Sequence, residues 1–357
     1  MGMNKTVVIN LVGLSKRVLG ANTPQLNQWM ASKQLATIKP QVPAVTCTMQ
    51  ANYLTGVAPN QHGIVGNGWY FKDECEVKFW RQSNKLVEAP KIWEKAKELD
   101  SEFTCANMFW PRPNYLADGR KIPDVYSHPA SLRDQLQTKL GQFPLFEFWG
   151  PKTTINSSKW IAEAAKQVEL QHQPTLSLIY LPHLDYTLQK FAHDDARSQK
   201  DIEDIDQLCG DLIEFFEGRG TKVMVLSEYG ITPVKKSIAL NRILRQSGYL
   251  NVRREQTWEL LDAGASDAFA VADHQLAHIY IKDKLHLEPI RALLLDQEGV
   301  AEVWDSNKQA EMGLGHERSG DLVVLAREDA WFNYYYWLDE SKAPDFARTV
   351  DIHRKPG

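Results

Sequence analysis

Two spacings of apolar residues alternate along the chain. Short β-branched or apolar-rich runs recur at Thr6–Val12, Phe103–Phe109, Thr175–Leu181, Lys222–Leu226, Ala277–Ile281, Val300–Trp304 and Leu322–Ala326. Runs of this length and make-up suit buried strands. Between them, apolar residues three and four apart predict helices over Lys91–Leu99, Ser157–Leu170, Ala196–Glu217 and Ile238–Gln246. Thr23-Pro24 reads as an N-cap followed by proline at the first helical position, opening a helix through Ala31. The aromatic run Trp331–Trp337 reads as an ordinary strand packed on the core.

Strands alternating with helices predict an α/β fold: a central, mostly parallel sheet with helices on both faces. No internal repeat or clean linker divides residues 1–357, so one domain is expected, with a small cap or inserted lobe near 68–90 and 266–320. In such sheets, sites gather at the carboxyl ends of the strands. The residues there are polar: Asn10 late in the first run, His183-Leu184-Asp185 after Thr175–Leu181, Glu228-Tyr229 after Lys222–Leu226, and His353 after the last strands. Any one of these reads as a cap or turn residue. Carboxylates and a histidine converging on one edge would suit a divalent metal.

Composition narrows the possibilities modestly. Hydrophobic residues are 43% and charged residues 24% of 357, enough for a sizeable core. A net charge of −4 argues against a nucleic-acid polymer as partner. No apolar run reaches membrane-spanning length and no signal peptide precedes the first strand, which gives a cytoplasmic expectation. The four cysteines have no CxxC spacing, so a disulfide framework is not expected.

The most informative stretch runs from Pro43 to Asn67. A short helix is predicted to begin at Thr46 or Cys47 and to end near Gly56. A hydroxyl at a helix N-terminus lies in a field that stabilises negative charge, which suits both an attacking alkoxide and an anionic phosphoryl group. The plainer reading makes Thr46 an N-cap, and Cys47 remains a rival nucleophile.

This stretch resembles the alkaline-phosphatase superfamily, in particular its type I phosphodiesterase/nucleotide pyrophosphatase family. The likeness rests on Thr46, Thr55-Gly56, Pro59, His62-Gly63-Ile64 and Asn67, in that order. It implies Thr46 as nucleophile and Asn67 as a holder of phosphoryl oxygens. Gly320-Asp321-Leu322-Val323-Val324 resembles the strand before the family's last histidine motif. His353, ahead of Lys355-Pro356-Gly357, resembles that histidine. The resemblance further implies hydrolysis of a small phosphate-containing substrate, assisted by one or two divalent ions, zinc above all, held by three Asp and three His.

Departures from that ligand set are numerous. Val12 stands where the first Asp belongs, with Asn10 two residues earlier as a substitute. Asp185 is kept, but the His four residues on is Gln189. The Asp-His pair after the next strand is Glu228-Tyr229. The implied metal residues are therefore Asp185, Glu228, His353 and Asn10. Gln189 and Tyr229 read as substrate contacts or as partners of one another. His183, His274, His278 and His316 are candidates to repair the site, the spacing of His274 and His278 being that of one helix face. The plain reading of each is a hydrogen-bonded structural histidine, and His62 is read as fixing its glycine-rich turn. Two alternatives stay open: a binding protein or partner subunit on the same fold, and a one-metal or metal-free phosphotransferase.

Overall fold

The computed structural model describes residues 3–39, 41–81, 83–109 and 129–347. They form a mixed α/β fold of two compact units, Met1–Pro40 with Pro90–Ile231, and Gln41–Ala89 with Thr232–Pro356.

The first unit carries the parallel sheet. Its strands lie in the order Cys105–Met108, Leu176–Leu181, Thr6–Leu11, Lys222–Leu226, all parallel. The first strand is thus flanked on both sides, with Asn10 opposite Tyr180 and Leu226. Its β-branched residues favour the extended backbone, and Val7, Ile9 and Leu11 are fully buried. Helices Ile155–His172 and Ala196–Glu217 pack against the sheet through Ile161, Ala165, Leu212 and Phe216. The short helix Pro24–Met30 follows Thr23, but Thr23 does not cap it. Its hydroxyl accepts from the Gly20 N–H at 2.9 Å, and the first-turn N–H groups of Gln25 and Leu26 go to the Asp206 carboxylate at 2.8 and 2.9 Å. A carboxylate placed at the positive end of a helix does the capping from another element.

The second unit is built on an antiparallel sheet in the order Ala268–Asp273, Leu276–Ile281, Leu322–Ala326, Val300–Trp304. The later apolar runs therefore pair here and not in the parallel sheet. The segment Ala268–Asp273, whose run of small apolar residues gave no separate strand in the sequence reading, forms a hairpin with Leu276–Ile281. Of the aromatic run, only Ala330–Phe332 is a strand, paired in parallel with Lys236–Ile238. Tyr335, Tyr336 and Trp337 are buried without strand pairing. All four cysteines are free thiols. Among the described residues, no helix is long and apolar enough to cross a membrane.

Candidate functional site

Within the second unit, Val45 is extended (φ −129°, ψ 155°) and acts as the N-cap of helix Thr46–Thr55, so Thr46 is the first helical residue and not the cap. The helix ends at Gly56, whose φ of 70° is a conformation glycine adopts without strain. Cys47, the rival nucleophile, is 1% exposed and packs in the core.

Asn67 reaches this helix start. Its Oδ1 accepts the Cys47 N–H at 2.9 Å. Its own backbone N–H donates to Asp273 Oδ2 at 2.6 Å, and its Nδ2 to Asp273 Oδ1 at 3.1 Å. Asp273 closes the strand Ala268–Asp273 and is buried. Burial pushes its carboxyl above the usual carboxylate range, against the pull of the neighbouring His274 charge and the two Asn67 hydrogen bonds. From sequence, Asp273 belongs with His274 and His278 to a polar cluster able to repair a metal site, and its place as the acceptor of Asn67 is a finding of the structure. The available signal was a lone carboxylate at the end of an otherwise apolar run.

The turn between the two short helices and Asn67 is held at further points. His62 Nδ1 accepts the Ile64 N–H at 3.0 Å, while Nε2 meets Asn52 Oδ1 at 2.6 Å. His278 Nδ1 accepts the Gly320 N–H at 3.1 Å, which leaves Nε2–H to donate to the Val65 carbonyl at 2.9 Å. Arg318 donates to the Gly63 carbonyl at 2.9 Å. Gly63 has φ 74°, a left-handed conformation that favours glycine, and a Cβ there would lie 2.5 Å from the Arg318 guanidinium and push it from its place. His316 faces Glu88 at 3.1 Å. His274 sits in the hairpin turn at φ 61° and His278 in the following strand, so they do not share a helix face. A spacing of four fits both a helix turn and a hairpin.

The His278 ring has a pH consequence. Burial lowers its pKa to about 4, below the ordinary 6.5. A group that gains a proton more readily when unfolded makes the fold lose stability as pH falls from 6.5 towards 4, by on the order of 3 kcal/mol. Thermal midpoints at pH 7 and pH 4.5 should drop more in the parent than in His278→Gln. An equal drop in both would remove His278 as the cause.

The first unit holds a second polar cluster at the carboxyl ends of its strands. Asp185 lies in the first turn of helix His183–Lys190, which follows Leu176–Leu181 directly. Its Oδ1 accepts from Gln189 Nε2 at 3.0 Å and from the Tyr229 hydroxyl at 2.8 Å, and its Oδ2 from the Trp149 indole N–H at 2.9 Å. Asn10 Nδ2 donates to Glu228 Oε1 at 2.7 Å. Gln189 and Tyr229 thus meet Asp185 and not one another. His183 is turned to another carboxylate, its Nε2 3.3 Å from Asp201 Oδ1. Trp149 was not anticipated; its exposed aromatic neighbourhood gave no polar signal. His353 lies outside the described residues.

The sequence matches the type I phosphodiesterase / nucleotide pyrophosphatase family over residues 6–357. The chain belongs to that family. It is 24% identical over 330 residues to an ectonucleotide pyrophosphatase/phosphodiesterase 2 of Saccharomyces cerevisiae, covering 88% of this chain and 59% of that protein. The chain therefore spans about three fifths of that relative's length. Among solved structures it resembles phosphonoacetate hydrolase from Sinorhizobium meliloti in complex with phosphonoformate, with TM-score 0.70 and 17% identity over 93% of this chain and 83% of that one. It also resembles murine ectonucleotide pyrophosphatase / phosphodiesterase 5, an inactive threonine-to-alanine variant in complex with AMP, with TM-score 0.66 and 16% identity over 94% and 82% of the two chains. These likenesses show the alkaline-phosphatase-like fold of the family.

The family is generally metal-dependent, so the cluster around Asp185 is tested against that need. Zinc sites use thiolate, imidazole and carboxylate ligands. Among the described residues, no three His, Cys, Asp or Glu side chains converge in such a group. The chemistry of the donor set is the stronger observation. Neutral N–H and O–H groups fill three of the four acceptor directions of the Asp185 carboxylate, and an indole N–H has no lone pair to offer a metal. The described residues do not fit a two-zinc centre.

Proposed function

We infer that this member of the family cleaves a small phosphoester with Thr46 as the attacking group. The observation that carries this reading is the built helix start: Thr46 at the first helical position, its next amide fixed by Asn67, and Asn67 fixed by Asp273. The Thr46 oxygen bonds to phosphorus while the bond from phosphorus to the leaving group breaks, oxygen in an ester or pyrophosphate and carbon in a phosphonate such as phosphonoacetate, and the hydroxyl proton passes to that leaving atom. Water then opens the threonine–phosphorus bond and regenerates the hydroxyl. Helix-start amides favour the negative charge on the phosphoryl oxygens. The Asn67 amide carries two N–H bonds, one of them directed at Asp273, and the other is the donor it offers a phosphoryl oxygen. No step is routed through a metal.

The substrate class is a phosphodiester, pyrophosphate, phosphomonoester or phosphonate. The names of the relatives, and the AMP and phosphonoformate in the two solved structures, support nucleotide esters and phosphonates as the first to test. The assay is release of nitrophenol from an aryl phosphodiester and an aryl nucleotide ester, and of phosphate from phosphonoacetate. Turnover of any of these supports the reading. A second reading has its own support in the Asp185 cluster, whose carboxylate is held by three neutral donors: a protein that binds such an ester without turning it over. Saturable binding of AMP with no product in any assay would select it.

A further inference from the structure

We propose that Asp185 is a hydrogen-bond hub and not a metal ligand: Trp149, Gln189 and Tyr229 together hold its carboxylate, and this part of the chain takes up no divalent ion through it. The inference does not rest on the chain cleaving a phosphoester, because its readouts need no turnover.

The argument is one of lone pairs. A carboxylate oxygen accepts along two directions in its plane. Oδ1 already has two donors, Gln189 Nε2 at 3.0 Å and the Tyr229 hydroxyl at 2.8 Å. Oδ2 has the Trp149 indole at 2.9 Å, so one acceptor direction is left, and a cation taken there would share the carboxylate with three neutral donors and find an amide and a phenol beside it where imidazoles would complete a ligand set. Asp185 is 7% exposed, so its charge depends on these donors for the solvation that water would otherwise give.

Each donor is tied in place by its own element. Gln189 stands four residues along the same helix, so it faces Asp185 by helix geometry alone. Tyr229 sits in a turn where the Ser227 hydroxyl donates to the Tyr229 carbonyl at 3.0 Å. Trp149 packs edge-on against Tyr186, with ring centroids 5.3 Å apart. The two positions at which the resemblance implies histidine therefore carry the very groups that donate to the retained carboxylate. The hub joins three segments: the one carrying Trp149, the start of helix His183–Lys190, and the turn after strand Lys222–Leu226.

The test uses the full chain, incubated with zinc or manganese, dialysed, and assayed for bound metal by elemental analysis. Asp185→Asn is expected to hold the same amount of metal as the parent. Its lowered thermal midpoint should be lowered equally in zinc and in EDTA. An ion in the parent that Asp185→Asn loses, or a thermal effect that vanishes in EDTA, would overturn the proposal. Should Asp185→Asn fail to fold, the Trp149 indole N–H resonance of the parent, identified by its loss in Trp149→Phe, answers the same question: its position should not change when zinc is added, and a zinc-dependent shift would overturn the proposal. The converse variant, Gln189→His with Tyr229→His, should gain about one zinc ion per chain. No gain in that variant would show that these donors do not decide metal content, and would also overturn the assignment.

Discussion

Thr46→Ala is expected to lower kcat/KM for any phosphoester the chain cleaves by on the order of a thousandfold or more, with little change in thermal midpoint. The substitution removes the only atom that would bond to phosphorus, while alanine suits the first turn of a helix. Thr46→Ser should keep most of the activity, because it keeps the hydroxyl at the same helix position. Kinetics on purified variants with one aryl phosphodiester decide the matter. Full activity in Thr46→Ala would exclude Thr46, and loss in Cys47→Ala alone would hand the role to the buried thiol.

The second large effect is expected at Asp273. Asp273→Ala leaves the backbone N–H and side-chain amide of Asn67 without their acceptor in a buried place, a cost of about 1–3 kcal/mol after relief of the carboxylate's own burial. Asn67 would then no longer fix the Cys47 amide at the helix start. Activity should fall mainly through kcat, since the donors are displaced more than the substrate is repelled. The double variant with Asn67→Ala separates this from general damage. If Asp273 acts through Asn67, the second substitution adds little to the first, in both stability and kcat. Simple additivity in that cycle would make Asp273 an independent structural residue.

Much of the fold could be read from the residues. Thr6–Leu11, Lys222–Leu226 and Ala196–Glu217 match their predicted spans to within a residue, because a β-branched run and a long amphipathic helix each have one comfortable conformation. The helix Thr46–Thr55 was legible in outline, with its start left between Thr46 and Cys47 and its end placed near Gly56, but its cap is Val45 and not Thr46. Of the antiparallel hairpin Ala268–Ile281 the second strand was legible at Ala277–Ile281 but the first, Ala268–Asp273, was not, since both strands are buried throughout and carry no alternation to mark them. The partners of Asp273 and Trp149 were not legible for a related reason. Each owes its place to a partner distant in sequence, Asn67 in one case and Asp185 in the other. Local pattern reports which residues are buried, but not which buried polar group receives which donor. The helix Pro24–Met30 makes the same point, its cap being Asp206 and not the adjacent Thr23.

The turn leading to Asn67 is fastened by His62, Asp273, His278 and Arg318, each through a backbone group of the turn. A segment so fastened has given up its freedom during folding, before any ligand arrives. Association therefore need not spend entropy on ordering it, and a ligand's contacts there appear nearly undiminished in affinity. Amide hydrogen exchange would register this directly: Ile64 and Asn67 should be among the slow protons of the second unit, with rates that hardly change when phosphate is added.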